Sequence, residues 1–316
     1  MNELKEVRYD DGQLCYRVNY KDGKPDGLYE EWWTNGKLKR RNTYKNGISD
    51  GLWEEWYENG KPYVRLNHKL RYIDGLYEEW FENGQLKVRE NCKDGMLDGL
   101  CEKWYKNGKM KRRYTYKNGK LDGLFEEWHE NGQLWLRRTY KDGDIDGVTE
   151  RWYENGQLSL RENFKNGVLN GIREEWYPDG KLIERINYEN GSREGLSEQW
   201  FENGKLSNRV NYKNDRKDGL YESWYENGQP HFCETCKNGQ LDGLSEEWYE
   251  NGKLKFSLNW KNDKLDGLCK RWYKNGQLKE RANYKDGELD GLYEGWDENG
   301  NATVYINYKN GKPDDL

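Results

Sequence analysis

One feature constrains this chain more than any other: a period of 24. Glycine stands at 27, 51, 75, 99, 123 and onward to 291 in an unbroken step of 24, and tryptophan keeps the same step from 32 to 296. A second glycine series runs from 12 through 36 and 60 to 300. A third takes in 23, 47, 95, 119 and others to 311, so that the three series hold 35 of the 36 glycines and leave out Gly295. Self-similarity at a fixed step is the mark of a repeat architecture. The units start at 3, 27, 51, 75, 99, 123, 147, 171, 195, 219, 243, 267 and 291, with no insertion or deletion, and Asp315-Leu316 looks like the start of a fourteenth. No linker or composition shift interrupts them. Residues 1–316 therefore read as one continuous array, with 3–26 and 291–316 as capping units.

The unit Gly99 to Asp122, GLCEKWYKNGKMKRRYTYKNGKLD, shows why the repeat is a hairpin. Turn signals at Asn107-Gly108 and Asn118-Gly119 leave two stretches too short to be helical alone. They are rich in Trp, Tyr, Leu and Val and bounded by Asn and Gly, as strands are. The expected fold is all-β: an elongated, single-layer antiparallel meander of about 26 strands, twisted or coiled, on the order of 120 Å long. A two-residue type I′ turn at Asn107-Gly108 would set Trp104 opposite Lys111, Glu102 opposite Arg113 and Gly99 opposite Tyr116. A four-residue second loop would set Tyr116 opposite Gly123. The expected ladders are alternating Glu and Arg (Glu78 and Arg89, Glu102 and Arg113, Glu126 and Arg137, Glu150 and Arg161) and a Trp row on that face. Tyr105, Tyr153 and Tyr249 should lie beside Met110, Leu158 and Leu254 on the other face.

Composition narrows the function. Only 33% of residues are hydrophobic, 35% are charged and mean hydropathy is −1.35, which alone would suggest disorder. Sixteen Trp and 25 Tyr point instead to an ordered chain whose apolar surface is concentrated in large rings. The net charge of −5 argues against a nucleic-acid partner. No apolar run approaches a membrane span, and the start, Met1-Asn2-Glu3-Leu4-Lys5-Glu6, lacks a signal-peptide layout. A cytoplasmic, intracellular chain is the expectation.

The frame G-L-x-E-x-W-Y-x-N-G-x-L, followed by a strand ending in Tyr-Lys and then N-G-x-x-D-G, resembles the MORN-repeat variant of the YwqK type. It stands here as Gly243-Leu244-Ser245-Glu246-Glu247-Trp248-Tyr249-Glu250-Asn251-Gly252-Lys253-Leu254 and extends over essentially the whole chain. The resemblance implies hairpins in one elongated sheet, no catalytic residues, and an occasional antitoxin-like role; some MORN proteins are linked to phospholipids. Several units depart from the frame. Arg8 stands in a Trp slot, and Gly295, Asp297, Ala302 and Tyr305 mark the last unit. Pro62 and Leu70-Arg71 mark the unit from Gly51, and Pro230 the unit from Gly219. Proline at these strand starts removes a ladder donor and marks a docking point or simple drift.

Catalytic and metal chemistry finds little support. Cys233-Glu234-Thr235-Cys236 is the one CxxC, but residues three apart on a strand point to opposite faces. With only His68, His129 and His231 elsewhere, no metal, redox or other cofactor site is expected. Glu rows repeated in nearly every unit read as structural ion pairs rather than an active centre. The chain is thus expected to be a non-enzymatic scaffold binding another protein. Peripheral phospholipid contact is the less favoured alternative, because a net charge of −5 gives no pull toward anionic lipid. A glycan- or choline-binding module built on the aromatic rows is the other alternative. Trp53 and Trp135, extra to the aromatic slots, are the candidate interaction residues, and the ideal register puts them on opposite faces.

Overall fold

A computed structural model describes residues 2–314; Asp315-Leu316, the start of a fourteenth unit, lies outside the described residues. Thirty strands and no helix occur among those residues. The first are β1 (Asn2–Arg8), β2 (Leu14–Lys21), β3 (Lys24–Trp32), β4 (Leu38–Lys45), β5 (Ile48–Trp56), β6 (Pro62–Lys69), β7 (Tyr72–Ile73) and β8 (Gly75–Trp80). Each unit contributes an outgoing strand that ends at its Trp, or at Arg8 in the first, and a return strand that ends at its second turn. Three outgoing strands are split in two, as in β7 and β8, and Lys312–Pro313 is added at the end, which explains the excess over 26. The chain forms two compact units, Met1–Gln157 with Phe164–Gly167, and Leu158–Asn163 with Val168–Leu316. Within each, strands pair antiparallel with their sequence neighbours, giving the hairpin meander that the repeat demands.

The central register is the expected one: Gly99 pairs with Tyr116 and Glu102 with Arg113, and Arg113 pairs in turn with Glu126. The two pairings are offset by one full unit, so successive hairpins gain no stagger. Both turns differ from expectation. At the first, Gly108 N–H donates to Tyr105 C=O and Tyr105 N–H to Lys109 C=O. Here Gly108 takes a positive φ of 84° and Asn107 does not. This is a three-residue loop with a glycine bulge, not a two-residue type I′ turn. At the second, Asn118 (φ 50°) and Gly119 (φ 76°) both enter the left-handed region, and Lys117 pairs with Lys120. The type I′ turn sits there, so Tyr116 faces Leu121 and not Gly123.

The bulge at the first turn repositions side chains. Trp104 pairs with Met110 rather than Lys111, and the same shift sets Trp128 against Leu134 and Trp248 against Leu254. An apolar residue thereby stands opposite each of these Trp, correcting the expectation that this Met/Leu row lies with the Tyr row. The extra residue of a bulge is free to share a face with its neighbour. Lys39 does so: its Nζ lies 2.6 Å from Glu31 and 4.9 Å from the Trp33 ring centre.

One face carries the charged ladder. Glu126, 3% exposed, is held between Arg113 (2.6 Å) and Arg137 (3.0 Å), and Glu30, 2% exposed, between Arg17 and Arg41. Eight of these arginines also stack over a Trp of the following unit, Arg113 over Trp128 among them, at 5.4–6.0 Å from the ring centre. A buried carboxylate is tolerated because two guanidinium groups meet it. The rows of turns are tied as well. Asn107 accepts from Lys109 N–H and donates through Nδ2 to Glu130 C=O of the next unit, while Tyr105 Oη donates to Trp128 C=O. The Asn of the first Asn-Gly is therefore a rung between units, not a φ-specifying residue. At the other edge, Asn91, Asn163 and Asn259 each cap the following bulge, donating to Leu100, Ile172 and Leu268 C=O.

Candidate functional site

In a lattice this regular, a site is a place where the pattern breaks with side chains left over. The unit from Gly51 breaks it at Trp53, Pro62, Tyr63, His68, Leu70 and Arg71. Leu70 (φ 50°) and Arg71 (φ 78°) replace Asn-Gly in the left-handed turn, where side chains with a Cβ are strained. Arg71 N–H reaches Ser49 C=O at 3.4 Å, against 2.9 Å for Gly95 N–H to Ile73 C=O in the next unit.

Trp53 lies on β5 and pairs with Asn42 of β4 and Leu66 of β6. Its Nε1–H donates to Glu55 (3.2 Å), Arg40 sits 5.1 Å over its ring, and His68 meets it edge-on at 5.6 Å. Among the described residues, Asn42, 1% exposed, has no hydrogen-bond partner for either amide atom, and His68 Nδ1 is likewise buried without one. Burial lowers the His68 pKa from its ordinary value, so the ring is neutral. Burial, with help from Glu79, pushes Tyr77 up to about 12. Around Trp53 opens a hollow of about 670 Å³ lined by Tyr44, Tyr63, His68, Arg71 and Tyr77 among others. Beyond Tyr63 lies a second hollow of about 400 Å³ with Trp33, Tyr57, Glu58 and Glu82. Glu55 and Tyr63 line both.

Trp135 is also placed by the bulge. It follows Leu134, just as Lys39 follows Leu38, and packs against His129 with ring centres 6.3 Å apart. Trp135 therefore shares a face with Trp53, correcting the expected opposite placement, because the extra residue at the turn turns it over. The two remain three units apart and form no common site.

Tyr63 was missed in the sequence, although a signal was present. Its slot holds Lys in five other units: Lys39, Lys87, Lys111, Lys255 and Lys279. Every one lies 4.9–5.9 Å over the ring two residues past its neighbouring carboxylate slot. Where that slot is Glu, the lysine also pairs with it, as Lys87 with Glu79 and Lys255 with Glu247. Tyr63 instead packs on Tyr57 at 4.9 Å, and Glu55 takes Arg40 (3.0 Å).

The CxxC thiols divide as the strand predicts. Cys233 pairs with Glu222 and Glu246 on the ladder face, and Cys236 with Gly219 and Leu241 on the other. Burial raises both thiol pKa values, Cys236 to about 11, which disfavours the thiolate. No group of three or more metal-ligating side chains is gathered among the described residues. No helix among them is long and apolar enough to cross a membrane.

The family model described as MORN repeat variant matches the chain twelve times in tandem, from 25–46 and 49–70 onward to 289–310. Among curated proteins none matches. Solved structures with detectable likeness include the crystal structure of TcdB2-TccC3-TEV, at 10% identity and a TM-score of 0.19, covering 96% of this chain and 21% of that one. The crystal structure of TcdB2-TccC3-Cdc42 is 11% identical with a TM-score of 0.17, covering 94% and 24%. This chain spans about a fifth to a quarter of the length of those chains.

Proposed function

This chain belongs to the MORN repeat variant family, and from that premise we propose that it is a non-catalytic scaffold that engages another protein along a face of its hairpin array. One observation carries the reading. On the ladder face, Leu52, Leu76, Leu100, Leu124 and Val148 form a row, each 41–44% exposed. In the second compact unit, Ile172, Leu196, Leu220, Leu244 and Leu268 form a row of their own at 40–45%. Aliphatic side chains repeated at a fixed spacing beside Glu–Arg rails offer apolar contact with polar registration, which suits an extended protein surface. An antitoxin-like, neutralising role is the most specific form of this reading and is supported by resemblance alone.

The test is affinity capture from the native cell, comparing the full chain with a variant carrying Leu76→Ser, Leu100→Ser and Leu124→Ser. These side chains point outward, so the fold is expected to survive and the captured protein to be lost. Undiminished capture by the variant sinks the use of this row. Strong pelleting with anionic vesicles at physiological salt, and no protein captured, would put the membrane alternative ahead.

A further inference from the structure

The repeats serve as their own reference, and they show what the slot of Tyr63 is for. In all five units where that slot is Lys, the ammonium group covers an aromatic ring of the same hairpin. With Glu31, Glu79 and Glu247 it also makes an ion pair of 2.6–2.9 Å. In three of these five units ring and carboxylate together hold the cation, which the hairpin supplies itself, while beside Lys111 and Lys279 the carboxylate slot is Lys103 and Arg271. The unit from Gly51 keeps the receptor, Tyr57 and Glu55, and removes the lysine. The substitute is a third ring, Tyr63, exposed at 38% and bordering the hollow of about 400 Å³.

The charges around that hollow are unbalanced in one direction. Its lining cations are both engaged: Lys39 with Glu31 and the Trp33 ring, Arg40 with Glu55 and the Trp53 ring. Its lining carboxylates include Glu58 and Glu82, and among the described residues neither is held in an ion pair. Rings, spare carboxylates and a vacated lysine position favour one kind of guest. We propose that the hollow between Trp33, Tyr57 and Tyr63 receives a guanidinium or ammonium side chain presented by a partner protein. This rests on the scaffold reading and adds the partner's chemistry: an arginine or lysine anchoring it at the unit from Gly51.

The test uses the full chain and a substitution that the repeat itself suggests. Tyr63→Lys installs the residue found in five sister units, so it is expected to fold and to fill the receptor from within. Nα-acetyl-arginine amide, Nα-acetyl-lysine amide and the uncharged Nα-acetyl-citrulline amide are titrated while the Trp33 indole N–H resonance is followed, assigned by its loss in Trp33→Phe. The two cations are expected to shift it saturably and citrulline not to. Tyr63→Lys should weaken the response about tenfold or more. Glu58→Gln with Glu82→Gln, both at exposed positions, should weaken it about threefold. Equal response to citrulline, an unmoved Trp33 resonance, or undiminished binding by Tyr63→Lys overturns the proposal. Capture from the native cell separates it from the reading beneath it. A protein retained equally by wild type and Tyr63→Lys removes the cation anchor and leaves the scaffold standing. Failure of every array to retain a protein removes the scaffold, while the amide titrations still decide the receptor.

Discussion

The unit from Gly99 and the unit from Gly51 share one backbone and treat a cation differently. In the first, Lys111 lies 5.3 Å over the Tyr105 ring, Asn118-Gly119 makes a relaxed left-handed turn, and Arg113 pairs with Glu126 at 2.6 Å. In the second, tyrosine stands where the lysine should be, Leu70-Arg71 is forced through the same turn, and His68 replaces the strand-end Tyr. The contrast teaches that the lattice is held by rows running across many hairpins, so a single unit can lose several of its own contacts and remain folded. Surplus aromatic and charged groups gather where those losses occur.

The comparison can be broken first at the ladder. Replacing Arg113 and Arg137 together by Ala leaves Glu126, 3% exposed, without a counter-ion, at an expected cost of about 3 kcal/mol in chemical denaturation. Adding Glu126→Leu to that pair should recover most of the loss; no recovery would mean that the arginines stabilise through their stacking on Trp and not through charge. Next in size is the strained turn. Arg71→Gly should stabilise the chain by about 1 kcal/mol, whereas Gly119→Arg, its mirror image, should destabilise by about as much. If both are neutral, the strain assigned to the unit from Gly51 is absent.

A smaller effect is expected from Tyr105→Phe, which removes the hydroxyl donated to Trp128 C=O and should cost about 1 kcal/mol. Phe81 and Phe201 occupy that slot naturally, so a much larger loss would show that the rungs are not equivalent. The smallest effect is a pH dependence. Burial lowers the His68 pKa, so the unfolded chain binds that proton more tightly than the folded one. Stability is then complete above the ordinary value of 6.5 and declines as pH falls through 6.5 toward the lower folded value. His68→Tyr, restoring the repeat's residue, should flatten this slope in denaturation series at pH 8 and pH 5.5. An unchanged slope would show that His68 is accessible to solvent.

Much was legible in the sequence because a 24-residue step admits few folds. Repeated Asn-Gly signals excluded helices, and the need to return each glycine to its place fixed the central register, so that Glu102 meets Arg113 and Arg113 meets Glu126. The period could not say which Asn-Gly is the type I′ turn, since both dipeptides carry the same preference. Their roles separate only through what they touch: Asn107 reaches the next unit's backbone, and Asn118 does not need to. That one-residue difference at the first turn decided the faces of Lys111, Tyr63 and Trp135, and with them the candidate site. The sequence determined by itself that this protein is a lattice of hairpins, because composition and spacing are local facts repeated thirteen times. Only the tertiary structure decided which side chains share a hollow, because a bulge changes no residue and yet turns the next one over.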